Sequence, residues 1–158
     1  MITFTDINKS NWEECIALSV LPEQKSFVAS NVLSLAQSKI FPGMIPLGFC
    51  VDGKQIGFAM YSNEIPGSVE PKSAEPGSKA PAVSWIIRFM IDSKHQKMGY
   101  GREALAKLIE LLRGKYPQSV IILSVEPDNE VAIKLYKSFG FRPTGEVEEG
   151  ELVFELKS

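Results

Sequence analysis

Histidine and cysteine are nearly missing from this chain of 158 residues, which holds one His and two Cys. Cys15 and Cys50 form no spacing that a zinc site uses, and His95 alone cannot complete one. No metal is therefore expected, and both thiols are expected to be reduced packing residues. An excess of charge of either sign is missing too. Lys and Arg number 17 against 19 Asp and Glu, a formal net charge of −2. That balance offers no broad basic surface for nucleic acid or an anionic membrane, and it permits a cationic substrate. Long apolar runs are also lacking, since none approaches the ~20 residues that span a bilayer. Met1 leads into the alternating residues 2–7 instead of a basic segment with an apolar signal core. A cytoplasmic protein with neither a nucleic-acid nor a membrane partner is the expectation.

What is present suits a single domain over residues 1–158, with 44% hydrophobic residues to fill one core. Residues 2–7 alternate like an edge strand, and Asn11 stands where it can cap a helix carrying Trp12, Cys15, Ile16 and Val20. A second helix is predicted over residues 27–39 from the spacing of Phe27, Val28, Val32, Leu35 and Ala36, with Pro42-Gly43 ending it. Together the two helices are expected to form a lid over a substrate groove. Residues 47–51 and 56–61 flank Asp52-Gly53, a pair favoured in tight hairpin turns. Residues 63–82, crowded with Pro, Gly, Ser, Glu and Lys, read as a mobile loop inserted within the domain.

Residues 83–92 form the next predicted strand. The helix after it presents Ala104, Leu105, Leu108, Ile109, Leu111 and Leu112 along one apolar face. Residues 120–125 are a nearly continuous apolar run, predicting a strand buried on both faces and parallel to its neighbour across the helical crossover. Asp128 or Asn129 can cap a further helix, in which Val131, Ala132, Leu135, Tyr136 and Phe139 cluster before Gly140 breaks it. Short strands over residues 144–147 and 151–156 finish the chain. The order β-α-α-β-β-β-α-β-α-β-β predicts an α/β fold, a mixed sheet with helices on its faces.

The most telling segment is Gln96-Lys97-Met98-Gly99-Tyr100-Gly101, set between the strand and the helix that begins near Arg102. Glycines there let the backbone approach a ligand and take up positive φ, while unpaired amides of the helix's first turn point at a bound phosphate. A pyrophosphate-bearing cofactor is the natural guest. About 30 residues later come Asn129 and Tyr136 on one predicted helix. Their separation is close to two turns, so they share a face with about 10 Å of rise between them and can reach one elongated ligand.

This combination resembles the GNAT superfamily of N-acetyltransferases, whose cofactor loop reads Gln/Arg-x-x-Gly-x-Gly/Ala and whose later helix carries an Asn and a Tyr. The resemblance spans essentially the whole chain. Within it, the tracts Phe27-Val28-Ala29-Ser30-Asn31, Arg88-Phe89-Met90-Ile91-Asp92 and Glu126-Pro127-Asp128-Asn129 resemble bacterial spermine/spermidine N-acetyltransferases. The resemblance implies acetyl-CoA as cosubstrate and a splayed pair of central parallel strands. It further implies that backbone groups of Met90 and Ile91 hold the pantetheine arm. Amides from Gln96 through Arg102, that is Gln96, Lys97, Met98, Gly99, Tyr100, Gly101 and Arg102, are implied to hold the pyrophosphate, with Asn129 and Tyr136 completing the cofactor site. Relatives of this fold often self-associate through the sheet, so the resemblance admits a homodimer.

Acetyl transfer needs a neutral amine to attack the thioester and an acid for the departing thiolate. Tyr136 matches the family's acid. The base is open, because Ile87 stands where several polyamine acetyltransferases carry a Glu. Glu126, at the end of the buried strand, is the candidate to take the proton directly or through water; its structural alternative is a carboxylate that stabilises the next helix's N-terminus. Solvent is the remaining choice, since an amine of pKa about 10 is roughly one part in a thousand neutral at about pH 7. Glu23, Glu64 and the group Glu146, Glu148, Glu149 and Glu151 are available for a polycation, and Trp85 and Tyr61 for the groove wall or the core. His95 is assigned no catalysis. The expected reaction is acetylation of a small primary amine such as a polyamine. The alternatives are another amine, a protein N-terminus, or a CoA-binding sensor without turnover.

Overall fold

The computed structural model describes residues 1–63 and 82–157. The expected insertion over 63–82 falls, apart from its ends, outside the described residues, as does Glu64. Seven strands form one sheet in the order β1-β2-β3-β4-β5-β7-β6, made of β1 (Thr3–Asp6), β2 (Ile45–Val51), β3 (Lys54–Ser62), β4 (Val83–Ile91), β5 (Val120–Val125), β6 (Arg142–Glu148) and β7 (Glu151–Leu156). Neighbouring strands are antiparallel except β4 and β5, which run parallel across a helical crossover. The hairpin at Asp52-Gly53 forms as expected, both residues having positive φ.

Among the described residues four α-helices cover the sheet: α1 (Trp12–Ala17), α2 (Asn31–Ile40), α3 (Tyr100–Lys115) and α4 (Glu130–Ser138). α3 puts Leu105, Leu108 and Leu112 fully out of water against one face of the sheet, with the apolar side of α4 beside it. Each such leucine contributes about 1.5–3 kcal/mol by burial. Glu103 in its first turn and Arg113 and Lys115 in its last oppose the helix dipole with the right signs. α1 and α2 sit over a second apolar cluster that includes Cys15, Met44, Phe58, Met60 and Met90. Both cysteines are buried free thiols.

Three expectations about elements need correction. α2 begins at Asn31, not near residue 27, because the Ser30 hydroxyl caps the Leu33 amide and leaves Phe27 and Val28 ahead of the helix. α1 ends before Val20, and Asn11 turns its side-chain oxygen to the Asn8 amide instead of capping the helix. β5 is not buried on both faces. Its burial alternates, with Ile121, Leu123 and Val125 inside and Val120, Ile122 and Ser124 only partly covered.

The feature that positions everything else is the incomplete β4–β5 pairing. Val83 to Ile86 pair with Val120 to Leu123, and beyond that the two strands part. From Arg88 onward β4 is paired on its β3 side alone, Ile87 falling at an irregularity with a register partner on neither side, and a wedge opens toward the C-terminal ends of both strands.

Candidate active site

The loop that follows β4 is pinned at its root by Asp92. Its carboxylate accepts from the amides of Ser19 at 3.0 Å and Lys94 at 3.2 Å, and lies 3.3 Å from Nδ1 of His95. Burial alone would raise this carboxyl's pKa, but the two amides and the imidazole outweigh it and hold it below the ordinary value. Further on, Lys97 adopts φ 62° and Gly99 φ 84°, and Gly99 starts α3 without any side-chain cap. The amides of residues 97–101 therefore have no acceptor among the described residues. Those of Arg102 and Glu103 are already used, both bonding the Gly99 carbonyl at 3.1 and 3.2 Å. Gly101 departs from expectation, since its φ is not positive. Its role is space: a Cβ there would meet only Ile91 Cγ1, at 3.8 Å.

A cleft of about 790 Å³ fills the wedge between β4 and β5 and reaches this loop at Gln96, Lys97 and Gly101. Gln96 spans its floor. The side-chain nitrogen of Gln96 donates to the Ile91 carbonyl at 3.0 Å and to Gln24 at 2.8 Å, and Gln24 returns a bond of 3.2 Å. On the far wall Asn129 caps α4, its Oδ1 accepting from the Ala132 amide at 3.2 Å. Tyr136 follows on the same helix and is buried against Phe141, ring centroids 5.9 Å apart. Burial, with the charge of Glu151 adding, pushes its phenol pKa well above the ordinary range. The hydroxyl therefore keeps its proton through neutral and mildly alkaline pH.

The other end of the cleft is made of side chains. Trp85, Ile87 and Arg88 come from β4, Phe27 and Val28 from the segment before α2, and Glu126 from the end of β5. Glu148, Glu149 and Glu151 enter from the β6–β7 hairpin. Arg88 donates to the Ile87 carbonyl at 2.8 Å and to Gln37 at 3.3 Å, while its buried Nε has no partner among the described residues. The hydroxyl of Ser124, on β5, donates to the carboxylate of Glu151. Burial pushes the Glu148 carboxyl up, and the nearby charges of Glu149, Glu151 and Glu146 add to it.

A glycine-started anion cradle and a Tyr-bearing helix on the two sides of a strand wedge match a known arrangement. Residues 5–141 match the acetyltransferase (GNAT) family. The chain belongs to that family. It is 31% identical over 147 residues to the spermine/spermidine N(1)-acetyltransferase of Bacillus subtilis strain 168, covering 93% of this chain and 91% of the relative. Among solved structures it resembles the PaiA N-acetyltransferase of Thermoplasma acidophilum in complex with coenzyme A, with TM-score 0.67 and 15% identity over 100% of this chain and 99% of that one. It also resembles the aminoglycoside acetyltransferase AAC(6')-Ib in complex with coenzyme A, with TM-score 0.71 and 20% identity over 99% and 95% of the two chains. The seven-stranded mixed sheet with its splayed parallel pair is thus the GNAT fold, and the protein is an acetyl-CoA-dependent N-acetyltransferase.

In this acetyltransferase the cleft collects most residues expected at the site. Met90, Ile91, Gln96, Lys97, Gly101, Glu126, Asn129 and Tyr136 all border it. Met98, Gly99 and Tyr100 extend the cradle beyond its rim, and the Met98 side chain is 60% exposed. Arg102 bonds Ser138 at 2.9 Å and covers the Phe139 ring at 4.9 Å, tying α3 to α4. Tyr61 belongs to the core and accepts from Lys115 at 2.9 Å, so of the two candidate aromatics Trp85 alone reaches the cleft. Glu23 and Glu146 do not border it. Sequence reasoning missed Gln24 and Ser124. Their partners Gln96 and Glu151 lie far away in sequence, and no local spacing signals either contact.

Unpaired amides in an open nest are what a diphosphate requires, and the wedge beside Met90 and Ile91 has the extended shape that an amide-bearing arm needs. The residues present therefore fit coenzyme A. Among the described residues there is no group of three His, Cys, Asp or Glu side chains suited to a metal ion, and no helix long and apolar enough to cross a membrane.

Proposed function

We propose that this acetyltransferase acetylates a primary amine of a polyamine such as spermidine or spermine, by direct transfer within a ternary complex. The observation that carries the reading is the set of carboxylates Glu126, Glu148, Glu149 and Glu151 bordering the same cleft as Tyr136. Several carboxylates spread along one groove suit an acceptor with several separated ammonium groups. The name of the Bacillus subtilis relative supports it.

Acetyl-CoA brings the acetyl group as a thioester. The amides of residues 97–101 hold the diphosphate, backbone groups of Met90 and Ile91 align the pantetheine arm, and Asn129 and Lys97 flank it. Tyr136 donates its hydroxyl proton to the leaving sulfur, a role supported by its place on the cleft, and its raised pKa keeps it protonated until the thiolate forms. Glu126 and Glu151 are the carboxylates that can relieve the acceptor of its proton.

An aminoglycoside is the second reading, favoured by the likeness to AAC(6')-Ib and by the same carboxylates, since such acceptors are also polycationic. The deciding experiment is a panel of amines with acetyl-CoA, read as CoA thiol release. Fastest turnover with spermidine or spermine is expected. Preference for an aminoglycoside or a peptide N-terminus would replace the polyamine, and acetyl-CoA binding without release for any amine would leave a sensor.

A further inference from the structure

We propose that Glu151, held in place by Ser124, takes the proton from the acceptor's ammonium group and so makes it a nucleophile. The proposal rests on the reading of this site as an amine acetyltransferase and assigns a role within it. β7 pairs with β5 so that Val153 faces Ser124 and Leu152 faces Val125. That register sets Glu151, the first residue of β7, at the level where β5 and β4 have separated. Ser124 fixes one carboxylate oxygen and leaves the other for a ligand in the cleft.

The neighbours of Glu151 mark it as central to the cleft. Its charge acts on the Arg88 guanidinium, which comes from β4, and on the Tyr136 phenol, which comes from α4. All three side chains border the one cleft. Glu126 borders the same space, but its side chain makes no hydrogen bond among the described residues, so it must be ordered when substrate arrives. The Ile87 side chain offers no acceptor atom from β4. On the β6–β7 hairpin the charges of Glu149, Glu146 and Glu151 all act on Glu148. These suit the acceptor's further ammonium groups.

The step balances as follows. The ammonium N–H bond breaks and its proton passes to the Glu151 carboxylate. The freed nitrogen pair forms the C–N bond at the thioester carbonyl, the C–S bond breaks, and the departing thiolate takes the Tyr136 hydroxyl proton. The second N–H bond of the acylated nitrogen then breaks, its proton passing through solvent to the Tyr136 phenolate, while Glu151 gives its proton to solvent, so that one proton is released overall.

The test is kcat/KM for spermidine across pH in the wild type, Glu151→Gln, Ser124→Ala and Glu126→Gln, with acetyl-CoA affinity by calorimetry as the measure of an intact fold. General-base loss in Glu151→Gln should lower kcat/KM about 100-fold at about pH 7, shrinking to about threefold near pH 10, where an amine of pKa about 10.4 supplies its own neutral form. Ser124→Ala should show the same pH trend at about a tenfold loss, since it removes the anchor and not the base. Glu126→Gln, acting on substrate binding, should lose the same factor at every pH. Should Glu151→Gln fail to bind acetyl-CoA, Ser124→Ala and Glu151→Asp carry the test, the latter with an intermediate loss of the same pH trend. A loss that does not change with pH in the Glu151 and Ser124 variants, wild-type rates in them, or a pH-dependent loss confined to Glu126→Gln overturns the assignment. A wild-type protein that acetylates no amine overturns the functional reading and this role together, whereas failure of this role alone shows only in the variants.

Discussion

The two ends of the cleft are built by different means. The proposed cofactor end is backbone: five amides without an acceptor among the described residues, an uncapped helix start, two positive φ angles and a strand that has lost its neighbour. The acceptor end is side chains drawn from β4, β5, the β6–β7 hairpin and the segment before α2. Backbone recognition tolerates substitution of nearly every side chain around it, while side-chain recognition can be redrawn residue by residue. One end therefore suits a donor shared across a family, and the other suits an acceptor that differs between members.

Tyr136 belongs to neither end, and its loss should strike hardest. Tyr136→Phe removes the proposed acid while keeping the ring packed on Phe141, and kcat should fall about 100-fold with acetyl-CoA affinity unchanged. Full kcat in that variant would end the acid assignment. Next comes the root of the cradle. Asp92→Asn gives up charge-assisted bonds to the Ser19 and Lys94 amides and should cost about 2 kcal/mol of stability, visible in thermal melts. Because the folded-state pKa of Asp92 lies below the ordinary carboxyl value, that stabilisation is present above about pH 4 and vanishes as pH falls through the folded value. Wild type and variant should therefore converge in acid, and a gap that persists there would mean that the charge is irrelevant.

Gly99→Ala sharpens the contrast between the ends. A side chain at φ 84° is strained by about 1–2 kcal/mol, and steady-state kinetics should show KM for acetyl-CoA raised about tenfold with KM for the amine held. The mirror case is the smallest effect. Glu149→Gln should raise KM for spermidine about threefold, less at high salt, and leave KM for acetyl-CoA alone. If each variant moved both constants equally, the division into a backbone end and a side-chain end would be wrong.

The same division explains what could be read from the residues in order. The cradle is local, so Gln96 to Gly101 between a strand and a helix announced it, and Asn129 and Tyr136 announced a shared face because both sit on one helix. Element order was equally legible, since apolar spacing reports local periodicity. Phe27 and Val28 misled because their spacing is helical, yet they face the cleft, and the capping Ser30 was the better marker of where α2 starts. The nearly continuous apolar run of β5 hid a strand with one face turned partly outward at Ser124. Gln24 with Gln96 and Ser124 with Glu151 are joined by folding alone. The position of Lys97 at φ 62° was also invisible, because nothing about a lysine advertises a left-handed backbone.

The wedge between β4 and β5 also bears on the survival of the protein. A sheet that parts in its middle is a fold with one piece missing, and the donor's extended arm is shaped like that piece. Free donor at a hundredfold excess over its dissociation constant would raise the unfolding free energy by about 2.7 kcal/mol. The melting temperature should then report acetyl-CoA supply, and cells short of it would hold the more fragile form of the enzyme.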